Sequence, residues 1–426
     1  RKNNGAKRDM HYEMEQEEHD VYPDDPDFDI NKARLVTTAP RICVRYECVP
    51  MRFIKHVYKI HTYAQDGRLF EGKTPVSAFL NSSYDGSFIA GLMELRYIQS
   101  LPVERIINYF ESHGFTLKKP TAHKLMEKAS SLFENLYKCI RQTALSDPYK
   151  AADETYYKIL VPEKNSKGKG VRKGYLWVVV GINTRMIYLL YDDGSRSEKV
   201  ILNELGGCKG IIQSDGYSPY RKLESDAYPH ITRIPCLQHI KRKFIDCGED
   251  DPDAKRIVEM INTLYQNEHK HKIGVDGWTV EQNLVHRKKY APDILGEIKD
   301  VLDDIEERGD LLPKSELKEA ITYLRNEWNA VVDIFNYGDT YLDNNIVERM
   351  NRYISLSRKN SLFFGSHKGA ERGAILYTIA LTCRMNKVNL FEYLTDVINR
   401  TAEWQPNTPL EKYRQLLPDR WEKAND

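Results

Sequence analysis

The 426-residue sequence predicts a multi-domain α/β protein with a mixed sheet and flanking helices at its core. Three observations predict it. Apolar runs at 175–182 (YLWVVVGI), 186–193 (MIYLLYDD) and 210–215 (GIIQSD) read as strands covered on both faces. Ahead of them, 84–148 switches to helical periodicity. After them, 248–340 is charged and helical without a strand pattern.

Composition bounds the function. A hydrophobic content of 41% over this length supports two or three domains with cores. No apolar run approaches the roughly 18 residues a membrane span needs, so a membrane role is not expected. Seven cysteines, an odd number, do not describe a disulfide scaffold, and a cytoplasmic location is the default. Net charge is +1 but unevenly spread: residues 1–30 carry four Lys/Arg and ten Asp/Glu, which leaves +7 for the remainder. That leader reads as a solvated tail, or as an acidic mimic that screens a basic surface until nucleic acid displaces it.

In chain order, 1–40 lacks periodicity, contains Pro23, Pro26 and Pro40, and is expected to be irregular. Residues 41–62 alternate and are rich in Val, Ile, Tyr and Phe, predicting two short strands broken at Pro50. Cys43, Cys48, His56 and His61 lie here; half-buried strand positions are expected rather than a zinc site. Residues 63–83 read as a linker with Gly67, Gly72 and Pro75. Helices are expected at 87–99, at 102–113 with Pro102 at its start and Gly114 past its end, and from Thr121 to about Ala144. The second and third have helix-turn-helix form, with Thr121, His123, Lys124 and Lys128 available to DNA; an ordinary helical hairpin has the same spacing.

The core is expected at 149–247: a strand at 151–162, a Lys/Gly-rich loop at 163–174, two apolar strands, a helix at 197–205, a strand ending on Asp215, a further strand at 230–236 and a basic helix at 237–247. Residues 248–340 are helical, with Gly274, Gly277 and Pro292 as breaks. Residues 341–426 complete the core with helices.

The stretch 341–377 organises the rest. On a helix, Asn344, Glu348 and Arg352 lie near one line, flanked by Asn345, Arg349 and Asn351, while Ile346, Met350, Tyr353 and Ile354 form the opposite, buried side. Asp343 can cap the first turn. A carboxylate framed by amides and guanidiniums suits metal and phosphate. Asp153, at the start of the first core strand, and Asp215, at the end of a buried one, can meet Glu348 at one sheet edge. Three carboxylates together repel one another. Two Mg²⁺ or Mn²⁺ ions about 3.5–4 Å apart relieve that repulsion and clamp the oxygens of a phosphodiester.

The stretches ADET (152–155), GYLWVVVG (174–181), IIQSDGYSPY (211–220), CLQHIKRKF (236–244) and DNNIVERMNRYISLSRKNSLFFGSHKGAERGAILY (343–377), with YLTDVINR (393–400) and the closing LLPDRW, resemble the insertion-sequence-66 family of bacterial transposases. The likeness covers about 150–400, and more loosely the region from 84. It implies a ribonuclease-H-like fold with an all-helical insertion at 248–340 and a mostly helical N-terminal DNA-binding region. It also implies a catalytic Asp-Asp-Glu triad on Asp153, Asp215 and Glu348. The implied activity is cutting of DNA at element ends and joining of the 3′ ends to target DNA. Implied partners are the element's terminal repeats, target DNA, a second copy of the chain and accessory proteins of the same element, with action at the nucleoid. Relatives usually carry an upstream Cys-rich zinc segment; the equivalent YKIHTYAQDGR (58–68) has no cysteine, so zinc is not expected.

Other residues are assigned by chemistry. Lys241, Arg242 and Lys243, and Arg349, Arg352, Arg358 and Lys359, can neutralise phosphates. Cys236 and His239 have metal-ligand spacing without a second pair, so they are expected to orient the site or to pack. Asn344 and Asn345 support it. Trp177 is expected in the core; Trp278 and Trp328 could stack on an unpaired base. His367 and Lys368 lie in a Gly-flanked loop within reach of DNA.

Overall fold

The structure, a computed structural model, describes residues 16–49, 52–75, 77–79, 82–163, 168, 170–248, 250–405 and 407–423. Its N-terminal strands are β1 (Gln16–Val21), β2 (Arg34–Leu35), β3 (Arg41–Val49), β4 (Arg52–Ile60), β5 (Thr62–Gln65) and β6 (Arg68–Glu71). Helices α1 (Gly86–Met93), α2 (Val103–Ser112), α3 (Lys119–Leu132) and α4 (Glu134–Ser146) follow, α1 continuing into a π-helical turn at Glu94–Ile98. Next come β7 (Tyr149–Leu160), β8 (Val171–Gly181), β9 (Met186–Leu190), α5 (Glu198–Leu205), β10 (Gly210–Ser214), α6 (Ser218–Arg221), β11 (Ile231–Pro235) and α7 (Leu237–Ile245). The chain closes with α8 (Pro252–Glu268), α9 (Val280–Glu307), α10 (Glu316–Ile334), α11 (Asn345–Asn360), α12 (His367–Met385), α13 (Leu390–Thr401) and α14 (Leu410–Arg414). It divides into two compact units: one of residues up to 141 with 157–172 and 353 onward, the other of 142–156 and 173–352.

In the first unit, β3 and β4 form an antiparallel ladder from Arg41↔Ile60 to Val49↔Arg52. β1 joins it parallel to β4. Residues 16–21, expected to be irregular, are therefore a strand. Its partners are polar rather than apolar: Lys59 pairs with Glu18, and His19 stacks on His56 and Tyr58. Charge and ring complementarity thus replace the hydrophobic alternation that would have announced it. Residues 63–71, expected to be linker, belong to a hairpin that begins at Thr62. Asp66 and Gly67 both have positive φ (50° and 74°), the requirement of a two-residue primed turn. Phe53, Phe88, Phe110 and Phe115 pack these strands onto α1 and α2, with Phe53 4.9 Å from Phe110 and 4.8 Å from Phe115 between ring centroids. The helix expected from Thr121 to Ala144 is two helices, α3 and α4, separated at the buried Phe133. α12 is buried nearly all round, as its apolar composition requires.

The second unit is built on a five-stranded sheet of order β11-β10-β7-β8-β9. β10 runs parallel to both β7 and β11, and β8 is antiparallel to β9. Trp177 is fully buried in β8, its indole N–H donating to Ser195 O at 3.1 Å. Helices α7 to α10 share one apolar core with the sheet, through Tyr149, Ile211, Ile234, Leu237, Leu302 and Ile321. The helical segment 248–340 is thus continuous with the sheet's core. Pro292 was expected to break it, yet α9 runs through it for 28 residues. Ala291, Leu295, Ile298, Leu302 and Ile305 are buried along one stripe. That burial outweighs the roughly 3 kcal/mol a helical proline costs.

Candidate active site

Parallel pairing of β7 and β10 positions two of the acids. The ladder aligns Ile211↔Tyr149, Ile212↔Lys150 and Gln213↔Ala151. Continued two residues, the same register sets Asp215 beside Asp153. Asp215 lies just past the end of β10, and its carboxylate is near enough to act on that of Asp153. Asp153 is the fifth residue of β7, not its first. Its carboxyl is pushed up to about 8, first by burial, then by the carboxylates of Glu154 and Asp215. It accepts from Glu154 N (2.8 Å) and from the Asn351 amide (2.7 Å).

α11 crosses the same corner. Asn344, 1% exposed, donates its amide to Ala152 O at 3.0 Å. Seven residues on, Asn351 holds Asp153. Glu348 falls between them, four residues after one and three before the other, and so on the same face. In this unit Asn344, just before α11, and Val347 and Asn351 within it are buried, while Asn345, Arg349 and Arg352 are exposed and Ile346 and Met350 half-buried. The expected faces were therefore rotated. The asparagines point inward because they satisfy the backbone and the acid of β7, which an aliphatic side chain could not do.

Glu348 does not close onto the two aspartates as a tight cluster. Among the described residues, the groups of three ligating atoms within 4.8 Å of one another are Glu17–His19–His56 and Cys236–His239–Glu348. Glu348 Oε1 lies 3.7 Å from His239 Nδ1. Cys236, at the N-cap of α7, is buried and accepts from Asn344 N at 3.2 Å. Cys236 and His239 thus lie together beside Glu348.

A neighbouring group was missed in the sequence. Glu154, with a side chain 6% exposed, is paired with Arg196, whose Nε donates at 3.0 Å. Arg196 lies over the rings of Tyr217 (4.2 Å) and Tyr175 (5.1 Å). Burial raises the Glu154 carboxyl and Arg196 opposes that shift. Glu154 is thus a second buried acid, partly balanced by Arg196, that adds to the upward shift of Asp153; its adjacency to Asp153 was the available signal. Asp215 is held from behind: its carboxylate accepts from Tyr217 N (3.1 Å) and its carbonyl from the buried Arg233 (3.1 Å).

The cations assigned to DNA divide between the units. On α7, Arg242 and Lys243 are exposed and Lys241 half-buried; on α11, Arg349, Arg352 and Lys359 are exposed and Arg358 half-buried. On α3, His123 and Lys124 are exposed and Thr121 half-buried. Lys368 is exposed and His367 half-buried at the start of α12. Trp278 stacks on His271 at 3.9 Å, and Trp328 packs half-buried against the core of the second unit. In the N-terminal sheet, His56 binds Glu47 (2.7 Å) and His19 (3.2 Å), His61 binds Asp20 (2.8 Å), and Cys43 is half-buried opposite Tyr58. The Cys48 side chain lies outside the described residues. Among those described, no helix is long and apolar enough to cross a membrane.

Residues 81–372 match the family model described as "Transposase IS66 family". Three relatives from Sinorhizobium fredii are similar over most of the chain, and each is named only as an uncharacterized protein. The first, y4jD, is 26% identical over 346 residues, covering 78% of this chain and 65% of the relative. This chain thus spans just under two thirds of that relative's length. The second, y4hP, is 24% identical, covering 93% of this chain and 76% of the relative. The third, y4qI, is 26% identical, covering 86% and 69%. With a family model spanning the acid-bearing strands and the Glu348 helix alike, this chain belongs to the IS66 family of transposases.

Proposed function

We propose that the chain cuts DNA at insertion-sequence ends and joins the freed 3′ ends to target DNA, using Asp153, Asp215 and Glu348. The observation that carries this is the parallel register that sets Asp215 beside Asp153, with Glu348 on a helix tethered to the same strand by Asn344 and Asn351. The mixed five-stranded sheet with the first acid on its central strand supports a ribonuclease-H-like core.

The donors fit hard divalent cations. Asp153 and Asp215 offer only oxygen, and they repel each other when both are charged. Bound there, two Mg²⁺ or Mn²⁺ ions would supply charge for the attacking and leaving oxygens of an in-line displacement. The protein's share is positioning. Asn351 fixes one oxygen of Asp153. Tyr217 N fixes one of Asp215. Arg196 keeps the Glu154 charge paired. Water opens the phosphodiester first, leaving a 3′-hydroxyl. That hydroxyl then attacks a target phosphodiester, and the displaced oxygen takes up a proton. Arg242, Lys243, Arg349 and Arg352 lie exposed on the two helices that carry His239 and Glu348, and neutralise the phosphates. Two ends are cut and joined together, so the working form is a dimer or larger, acting with the element's accessory proteins.

The test mixes the chain with a labelled end duplex and supercoiled plasmid in Mg²⁺. Joined product is expected, and its loss in Asp153→Asn, Asp215→Asn and Glu348→Gln with DNA binding retained. Nicking without joining would mean a nuclease. DNA binding without any cleavage, even with the neighbouring gene products added, would mean a regulator.

A further inference from the structure

The first turn of α7 and the first turn of α11 meet at three different donors: a thiol, an imidazole and a carboxylate. The ligating atoms of Cys236, His239 and Glu348 all lie within 4.8 Å of one another. His239 Nδ1 and Glu348 Oε1 are 3.7 Å apart, too far for a hydrogen bond. Both atoms are nevertheless buried without a hydrogen-bond partner. Buried polar atoms are seldom left so, and two facing each other call for something between them. In a tetrahedral site with metal–nitrogen and metal–oxygen bonds of about 2.0–2.2 Å, the two ligands stand roughly 3.4 Å apart. The observed gap is close to that. The thiol already accepts from Asn344 N, the kind of outer contact that steadies a ligating sulfur.

We propose that Cys236, His239 and Glu348 form a binding site for a transition metal of the zinc class. Sulfur and imidazole select such a metal over Mg²⁺, whose preferred donors are the oxygens of Asp153 and Asp215. Three protein ligands leave a fourth position open, as in catalytic rather than structural zinc sites. The Asn344 amide holds Ala152, the residue before Asp153, so the site is coupled to the strand of the first acid. Glu348 is shared with the strand-transfer reading, but the metal site does not rest on it.

Cobalt(II) titration of the purified full chain tests this without DNA. Expected is one equivalent bound with thiolate-to-cobalt charge-transfer absorption, displaced by stoichiometric zinc and not by excess magnesium. The band should vanish in Cys236→Ser, weaken in affinity by more than about tenfold in His239→Ala and in Glu348→Gln, and persist in Asp153→Asn. Glu17–His19–His56, the other such cluster among the described residues, has no sulfur and contributes no such band. Cys236 is buried; should its serine variant fail to fold, His239→Ala and Glu348→Gln decide the matter. Absence of the band in the wild-type chain, its survival in Cys236→Ser, or unchanged affinity in both His239→Ala and Glu348→Gln overturns the site. Strand transfer without the cobalt band would overturn this site alone. A cobalt band with no strand transfer would uphold it and count only against the transposition reading.

Discussion

Asn351 is a small residue with a large expected effect. It is 8% exposed and fixes one carboxylate oxygen of Asp153. Replacing it with Ala leaves that oxygen free to rotate, and strand transfer is expected to fall about 10- to 100-fold while end-DNA affinity stays within about twofold. Steady-state strand transfer and a filter-binding isotherm on one preparation check this. Away from the acids, Asp85 adds a pH dependence of its own. Asp85, ahead of α1, has its carboxyl pushed up to about 6 by burial, with Arg45 and His56 partly opposing. The folded chain thus holds that proton more tightly than the unfolded one. The stability it contributes is complete below about pH 4 and is lost as pH rises through about 6. The Asp85 side chain makes no capping hydrogen bond to α1, so Asp85→Asn removes the loss without giving up a cap. It is expected to be more stable than wild type at pH 7 by on the order of 1–2 kcal/mol, and equal to it near pH 4, by urea unfolding.

At the scale of elements, the β7–β10 register is the structural root of the site, and Gly210 opens β10. Its φ is +90°, and a Cβ there would lie 2.2 Å from Pro148 O. Gly210→Ala is expected to cost more than about 2 kcal/mol and to lower strand transfer through the misplaced Asp215, with DNA binding kept. Melting curves beside the joining assay test it. Much at this scale was legible. The apolar runs became β8, β9 and β10 because continuous burial needs continuous hydrophobicity. β1 was not, since a strand held by Lys59–Glu18 and stacked rings shows no alternation. The hairpin at Asp66–Gly67 was read as linker, although its Asp-Gly dipeptide is a hairpin-turn signal. Pro292 misled because a local preference of about 3 kcal/mol yields to a buried stripe.

At the scale of the molecule, residues 248–340 are braced onto the sheet of the second unit by a buried ion pair. Arg233 on β11 and Glu327 on α10 are almost wholly buried, and Arg233 also reaches Asp215 O. Glu327→Ala strands the guanidinium and is expected to cost about 3–5 kcal/mol in chemical denaturation. A smaller cost for Arg233→Met with Glu327→Leu than for Glu327→Ala would confirm that the pair gives registry more than stability.

The sequence by itself determined which segments are strands and which helices across most of the chain. It singled out Asp153, Asp215 and Glu348, and it carried a family likeness in motifs from 152 to 377. These follow from local period and composition, which each segment carries within itself. Only the tertiary structure decided that Asp215 stands beside Asp153, that Asn344 and Asn351 face inward, and that Glu348 turns toward His239 and Cys236. Those facts depend on the register between β7 and β10 and on how α11 packs on β7. Both are set by burial and hydrogen bonding between segments 60 to 200 residues apart in sequence. No local pattern encodes that pairing.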